Sequence, residues 1–430
     1  MMRSRLGRVL VYASVVAFVA SAVSVPVSAL AGPGNGAGGP TVRFATFNAS
    51  LNRTEEGEAL DDLSTPDDTQ AQAVAEIIQR TRPDVLLINE FDYHRDDLLA
   101  EAFQENYLSV PQGDQDAIEY EFVFTAPSNT GVSSGFDLNN NGVTDTTPGD
   151  NAYGDDTLGF GWFPGQYGMA VFSRFPIDYE AVRTFQTFLW KDMPGAMLPD
   201  DPATAAPGDW YSPAELAIFR LSSKSHWDVP IEIGRRTVHF LVSHPTPPVF
   251  DSLEDRNGTR NNDEIRFWAD YITPGPTSDY IYDDEGVTGG LEPGELFVIA
   301  GDQNSDPLDG DSVPGSIQQL LEHPLVNARV APWSPGGAYW SDVQGLLNEG
   351  HLSDPIYDTA DFCDFAGCGP GNLRADYVLP RKGIQIRGAG VFWPRPDDPG
   401  YDLTGAGFPA ISSDHRLVWI DAVVPSYLGR

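Results

Sequence analysis

Short apolar runs recur along the chain, and each is bounded by a polar residue. Residues 42–47 end at Asn48, 85–88 lead to Glu90, 238–242 to His244, and 296–300 to Asp302 and Asn304. Two more runs are preceded by their polar residues: Asp376 stands before 377–379, and Asp414 and His415 before 417–420. Runs of this length, rich in Val, Ile, Leu and Phe, predict buried strands. Helical spacing appears between them. Val74, Ile77 and Ile78 predict a helix over 66–80, with Thr65 as cap, Pro66 in its first turn and Asp68 completing a capping box. Ile265, Trp268, Ala269 and Ile272 predict a second helix behind Asn261 and Asn262 as caps, and a third is expected near 316–321. Segments 112–165 and 193–228, rich in Gly, Pro, Asp and Asn, read as loop insertions. No internal repeat is visible.

Strand direction follows from this pattern. If the polar clusters share one site, four strands deliver them at their carboxyl ends and two at their amino ends. At least two strands then run opposite to the other four. An all-parallel Rossmann or barrel sheet is excluded, because its site gathers at strand carboxyl ends only. Since the clusters come from both ends of the chain, 41–430 is expected to be a single catalytic domain.

The amino terminus changes the expected location. Arg3, Arg5 and Arg8 precede an apolar stretch over 9–20, and Ala29-Leu30-Ala31 offers a cleavage site. Residues 1–31 are therefore expected to be a signal peptide and 32–40 a Gly/Pro linker, which makes the mature protein secreted, with no stable membrane span. Cys363 and Cys368 are the only cysteines, and in an oxidising compartment a local disulfide between them is expected. The chain carries 26 basic and 62 acidic residues. Loss of the signal leaves 23 against 62, a balance of −39. A polyanion of this size disfavours a nucleic-acid partner unless arginines gather locally.

The clustered residues are carboxylates, amides and histidines, with no signature of a nucleophilic serine or cysteine. Such a set suits one or two hard cations and an anionic substrate. Here the chain resembles the endonuclease/exonuclease/phosphatase superfamily. The matching segments are Phe44-Ala-Thr-Phe-Asn48, Pro83-Asp-Val-Leu-Leu-Ile-Asn-Glu90, the stretch from Gly165 to Ile177, Val242-Ser-His244-Pro, Gly301-Asp-Gln-Asn304, Arg374-Ala-Asp-Tyr-Val-Leu379 and Ser413-Asp-His415. His244-Pro-Thr-Pro-Pro248 resembles an exported bacterial subgroup, whereas Ser50 stands where several nucleases of the group carry an acid. The resemblance implies a four-layer α/β/β/α sandwich of two mixed β-sheets. It implies that Glu90, Asn48 and Asp414 hold Mg2+ or Mn2+, and that Asp302 orients or deprotonates the attacking water. Asn304 would hold water or a phosphoryl oxygen, His244 and His415 would donate to phosphoryl oxygens, and Asp376 would orient His415. Tyr167, or Gln166 beside it, would touch the phosphate.

One motif lies outside that set. Asp137, Asn139, Asn141, Gly142 and Asp145 follow the D-x-[DN]-x-[DN]-G pattern of calcium loops, without the usual glutamate at position twelve. A structural Ca2+ is expected there, with Asp150, Asp155 or Asp156 supplying the missing ligand. The function these features predict is a secreted, metal-dependent phosphoric ester hydrolase acting as a monomer. Its substrate would be an organic phosphate, a phosphodiester or a phospholipid headgroup. An extracellular DNase-like enzyme is the alternative, and a calcium-stabilised binding module without catalysis the third.

Overall fold

The computed structural model describes residues 39–363, 367, 369–405 and 411–426. The expected signal peptide, most of the linker and Cys368 lie outside the described residues, so the predicted disulfide falls there too. Residues Gly38–Arg430 form one compact unit.

In chain order the strands are β1 (Thr41–Leu51), β2 (Val85–Phe91), β3 (Phe122–Phe124), β4 (Met169–Ser173), β5 (Arg183–Thr184), β6 (His226–Ile233) and β7 (Arg236–Ser243). They continue with β8 (Leu296–Asp302), β9 (Ala360–Asp361), β10 (Asn372–Leu373), β11 (Asp376–Pro380), β12 (Gln385–Val391) and β13 (Val418–Val423). A six-stranded sheet runs β12-β13-β1-β2-β4-β3, a five-stranded sheet runs β11-β8-β7-β6-β5, and β9 pairs with β10. Both large sheets are mixed. β1 is parallel to β2 but antiparallel to β13, and β7 is parallel to β8, which is antiparallel to β11. The two opposed strands, β11 and β13, are those whose polar residues precede them.

Side-chain alternation builds four layers. Val42 and Phe44 of β1 join Val238 and Phe240 of β7 and Leu296 and Val298 of β8 in a core between the sheets. The intervening Ala45 and Phe47 pack outward against Val74, Ile77 and Ile78 of helix Thr69–Thr81. On the other face, Phe297 and Ile299 pack against Ile265 and Trp268 of helix Arg256–Tyr271. The fold is an α/β/β/α sandwich.

The helix boundaries correct the sequence reading. The first long helix starts at Thr69, three residues beyond the expected 66, because the Asp68 carboxylate accepts from Ala71 N at 2.7 Å and takes the cap. Thr65 instead donates its hydroxyl to the Asp67 carboxylate. Asn261 and Asn262 lie inside helix Arg256–Tyr271 and do not cap it. Asn261 Nδ2 donates to the carbonyls of Thr246 (2.8 Å) and Gln303 (2.9 Å), so a mid-helix polar residue ties down two site loops. The third helix is one turn, Gln318–Leu321. The expected insertions are not wholly loop: 112–165 contributes β3, and 193–228 runs into β6 at His226. Among the described residues, no helix is long and apolar enough to cross a membrane.

Candidate active site

The side of the site that holds Glu90 is shaped by a bulge. β1 and β2 pair in register as far as Asn48 and Asn89, then slip before Leu51 and Phe91. Within the slip Ser50 and Glu90 adopt left-handed backbones, with φ of 50° and 55°. Non-glycine residues take that conformation at a cost, which collects at functional sites, and a bulge re-aims side chains. Glu90 is thereby turned toward Asn48, whose Nδ2 donates to Glu90 Oε1 and to Asp302 Oδ2, both at 3.1 Å. One amide thus ties the two sheets together. Asn52 Nδ2 donates to Glu90 Oε2 at 2.9 Å, and Ser50, lacking the acid of several nucleases, donates its hydroxyl to Asp414 Oδ1 at 3.2 Å. Gly301 permits the crossing: its φ is 147°, and a Cβ there would sit 2.0 Å from the Ser243 carbonyl oxygen.

The second half of the site is a chain of acids and histidines. Asp302 Oδ1 accepts from Asn304 N at 2.8 Å, and Asp302 Oδ2 lies 3.4 Å from His244 Nε2 and 3.6 Å from His415 Nε2. His415 Nδ1 hydrogen bonds Asp376 Oδ2 at 2.9 Å, and Thr359 Oγ1 donates to the same oxygen at 2.8 Å. Asp302, His244, His415, Asp376 and Thr359 are buried, whereas Asn304, Glu90 and Asp414 are half-buried. Burial opposes the imidazolium of His415, but Asp376 and Asp302 outweigh it and hold its pKa well above the usual value. Burial would likewise raise Asp302, yet His415 and His244 keep its carboxyl well below the ordinary range. His244 goes the other way: burial, then the Lys224 charge, push it down to about 4, leaving a neutral ring. Burial and the neighbouring Asp414 push Glu90 up.

That last shift is a test of whether a cation fits. Glu90 and Asp414 are acidic groups forced together, and the hydrogen bonds to Glu90 come from two neutral amides. With the Asn48 carbonyl they offer hard oxygen donors whose negative charge His415 and Lys224 offset only in part, a chemistry that suits Mg2+ or Mn2+. Asp302, Asp376 and His415 also gather their ligand atoms within 4.8 Å. In that group, however, the proton on His415 Nδ1 is held by Asp376, so the imidazole is committed to a carboxylate.

The structure brings Asn48, Glu90, His244, Asp302, Asp376, Asp414 and His415 together from six segments. Two residues are engaged with backbone carbonyls. Asn304 lines the cavity with one hydrogen of its Nδ2 given to the Pro245 carbonyl at 3.1 Å. Gln166 is spent structurally, donating to Arg53 O at 2.6 Å and accepting from Trp162 N at 2.7 Å. Tyr167 is left as the aromatic neighbour. Its φ is 55°, and burial together with Glu90 pushes its hydroxyl up to about 12, so it remains protonated.

In the 137–145 loop the oxygens turn inward. Asp137 accepts from Asn141 N (3.0 Å) and Gly142 N (2.7 Å), Asn139 Oδ1 accepts from Asn141 N (3.1 Å), and Asn141 Oδ1 accepts from Val143 N (2.8 Å). Asp145 Oδ1 accepts from Thr147 N (2.9 Å). Among the described residues, no three of its acids converge on one point as Asp302, Asp376 and His415 do.

Sequence reasoning missed Lys224. It precedes β6, whose pairing of His226 with Ser243 sets it beside the loop that carries His244, and Ser223 Oγ donates to the His244 carbonyl at 3.5 Å. Only 6% of Lys224 is exposed, and the charges of Glu264, Glu90 and Asp302 face it. The signal was present, since Lys224 is one of only three lysines and lies in an otherwise uncharged run, Leu221-Ser-Ser-Lys-Ser225. Thr359, Asn52 and Asn89 were missed as well; Asn89 Oδ1 accepts from Asp302 N at 3.2 Å.

A family model described as the Endonuclease/Exonuclease/phosphatase family matches residues 45–415. No curated protein matches the chain. Among solved structures it is similar to an endonuclease/exonuclease/phosphatase from Beutenbergia cavernae, at 15% identity and a TM-score of 0.47, covering 89% of this chain and 72% of that one. Sphingomyelinase C from Streptomyces griseocarneus is similar at 15% identity and a TM-score of 0.43, with 89% and 99% covered. A beta toxin mutant from Staphylococcus aureus with bound magnesium ions is similar at 14% identity and a TM-score of 0.44, again with 89% and 99% covered.

Proposed function

The chain belongs to the endonuclease/exonuclease/phosphatase family, and from that premise we propose that it is an exported, divalent-metal-dependent phosphoester hydrolase. The observation that carries this reading is Asp302, set between His244 and His415 and facing Glu90 across the two sheets through Asn48. Glu90, Asp414 and the Asn48 carbonyl would hold Mg2+ or Mn2+, which when bound supplies Lewis-acid stabilisation of charge on the phosphoryl group.

The remaining work belongs to the chain's own groups. Asp302 accepts a hydrogen bond from the attacking water and takes its proton as the oxygen bonds to phosphorus and the ester oxygen departs with its electron pair. Before substrate binds, the two histidines hold the proton affinity of Asp302 down. When their N–H groups turn to the phosphoryl oxygens that hold weakens, and Asp302 becomes the stronger base when it is needed. Asp376, fixed by Thr359, keeps Nδ1 of His415 protonated and leaves Nε2 to face the phosphoryl group. His244 donates one N–H as a neutral ring, and the protonated Tyr167 hydroxyl stands beside Glu90. Lys224, buried behind His244, adds positive potential where equatorial charge develops. No covalent intermediate is required.

The test is a substrate panel on the mature protein, with and without EDTA: a phosphomonoester, a bis-aryl phosphodiester, sphingomyelin and plasmid DNA. Turnover of a small ester or lipid that EDTA and His415→Ala both abolish supports the proposal. Turnover untouched by either sinks it, and rapid DNA degradation without small-ester hydrolysis would promote a nuclease.

A further inference from the structure

The cavity over the candidate site has two kinds of lining. It holds about 550 Å3 and is lined by the polar Glu90, His244, Asp302, Asp414 and His415. Its apolar wall is formed by Pro247, Pro248, Val249, Phe250, Phe362 and Leu373. Among the described residues that line it there is no lysine or arginine, and Asp311 adds a further acid to the rim. Lys224 and Arg416 lie close by but are buried, with acids facing them. A polymer of phosphates depends on neutralising cations along its path, and the described lining of this cavity offers none.

The apolar wall is not folding debris. Phe250 is 85% exposed and holds a left-handed backbone, φ 66°, unusual for an aromatic residue. Its loop is held in place by Asn257, whose side chain donates to the Val249 carbonyl at 2.6 Å and whose backbone N–H donates to Asp251 at 2.7 Å. Phe362 packs edge-on to the His415 ring at 5.2 Å, so one apolar side chain of the lining adjoins that histidine.

Resting on the phosphoester-hydrolase reading, we infer that this wall is a subsite for an uncharged apolar ester group, alkyl or aryl, next to the reacting phosphoryl group. The substrate class is then an amphiphilic phosphoester, with one anionic phosphoryl group and a hydrocarbon portion lying from Phe362 to Phe250.

Direct calorimetric titration with methyl-, butyl- and hexylphosphonate, in Mg2+ and below any micellar concentration, tests the subsite independently of turnover. Each buried methylene contributes up to roughly fourfold in affinity. Hexylphosphonate is expected to bind at least tenfold tighter than methylphosphonate. Phe250→Ser and Val249→Ser each reduce that ratio to threefold or less, while Leu253→Ser, equally exposed at 86% but outside the cavity, retains it. Phe250 buries too little of itself for its replacement to unfold the chain. A ratio near one, an equal loss in Leu253→Ser, tighter binding of a short oligonucleotide, or capture by lipid vesicles without binding of the monomer would each overturn the inference. Chain-length-dependent binding without hydrolysis in the substrate panel would instead count against the hydrolase reading alone.

Discussion

Two regions of the molecule are built from the same side chains and behave differently. The catalytic cluster and the 137–145 loop both draw on aspartate and asparagine. In the loop nearly every carboxylate and amide oxygen accepts from a backbone N–H two to five residues along the chain, and those residues are exposed or half-exposed. In the cluster the partners are far apart in sequence: Asn48 reaches Asp302 across 254 positions, and His415 reaches Asp376 across 39. Short polar side chains readily satisfy themselves on local backbone, which is why they favour turns. Only a rigid scaffold that buries them withholds that local solution and leaves them to shift one another's pKa. The loop matches a written motif more closely, yet the cluster has the displaced proton affinities expected of chemistry.

The comparison can be broken at several points, and the largest effect is expected at Asp302. Asp302→Asn keeps the shape but removes the base and a counter-charge to His415. A fall in kcat of about a thousandfold or more is expected at unchanged circular dichroism. Lys224→Met should follow, with kcat down roughly a hundredfold through lost electrostatic stabilisation. A change in Tm alone, with kcat intact, would make Lys224 a structural residue. Thr359→Val removes a donor to Asp376 without touching substrate, and should lower kcat by about tenfold while KM stays within roughly twofold.

Asp358 sharpens the comparison from outside both regions, because it is buried without long-range partners. It is 1% exposed, its Oδ1 has no hydrogen bond, and burial with Asp306, Asp309 and Asp354 pushes it up to about 9. The folded state therefore binds a proton that the unfolded state releases near pH 4. Its contribution is fully present below that pH and is lost as pH rises through about 9. Asp358→Asn should raise Tm at pH 9 by roughly 3 °C or more and leave it little changed at pH 4, as read in thermal melts at both values. The smallest effect is expected in the loop. Asp137→Ala should leave kcat within about twofold and cost roughly 1 kcal/mol for the lost turn hydrogen bonds. A Tm that rises with added Ca2+ in the native chain but not in this variant would show that the loop has a ligand after all.

Much of the site was legible because strand ends are legible. Glu90, Asp302 and His415 each stand at the border of an apolar run, and a run of that kind marks both a strand and its direction. The resemblance to a known family then assigned their roles. Lys224 escaped because it precedes its strand by two residues in a loop-like segment, and its nearness to His244 follows from the β6–β7 register alone. The engagement of Asn304 and Gln166 with backbone carbonyls was not legible, because a sequence shows which donors exist but not which already face a carbonyl.

By itself the sequence determined the alternation of strand and helix, the two opposed strands and the inventory of acids and histidines. These depend on periodicity and on residue chemistry, both of which are local. Tertiary structure alone decided the bulge that aims Glu90, the neutral state of His244 beside a charged His415, the cation behind them and the apolar wall in front. Each depends on how closely the two sheets approach, since burial and distance set electrostatic energies and neither is written in any single segment.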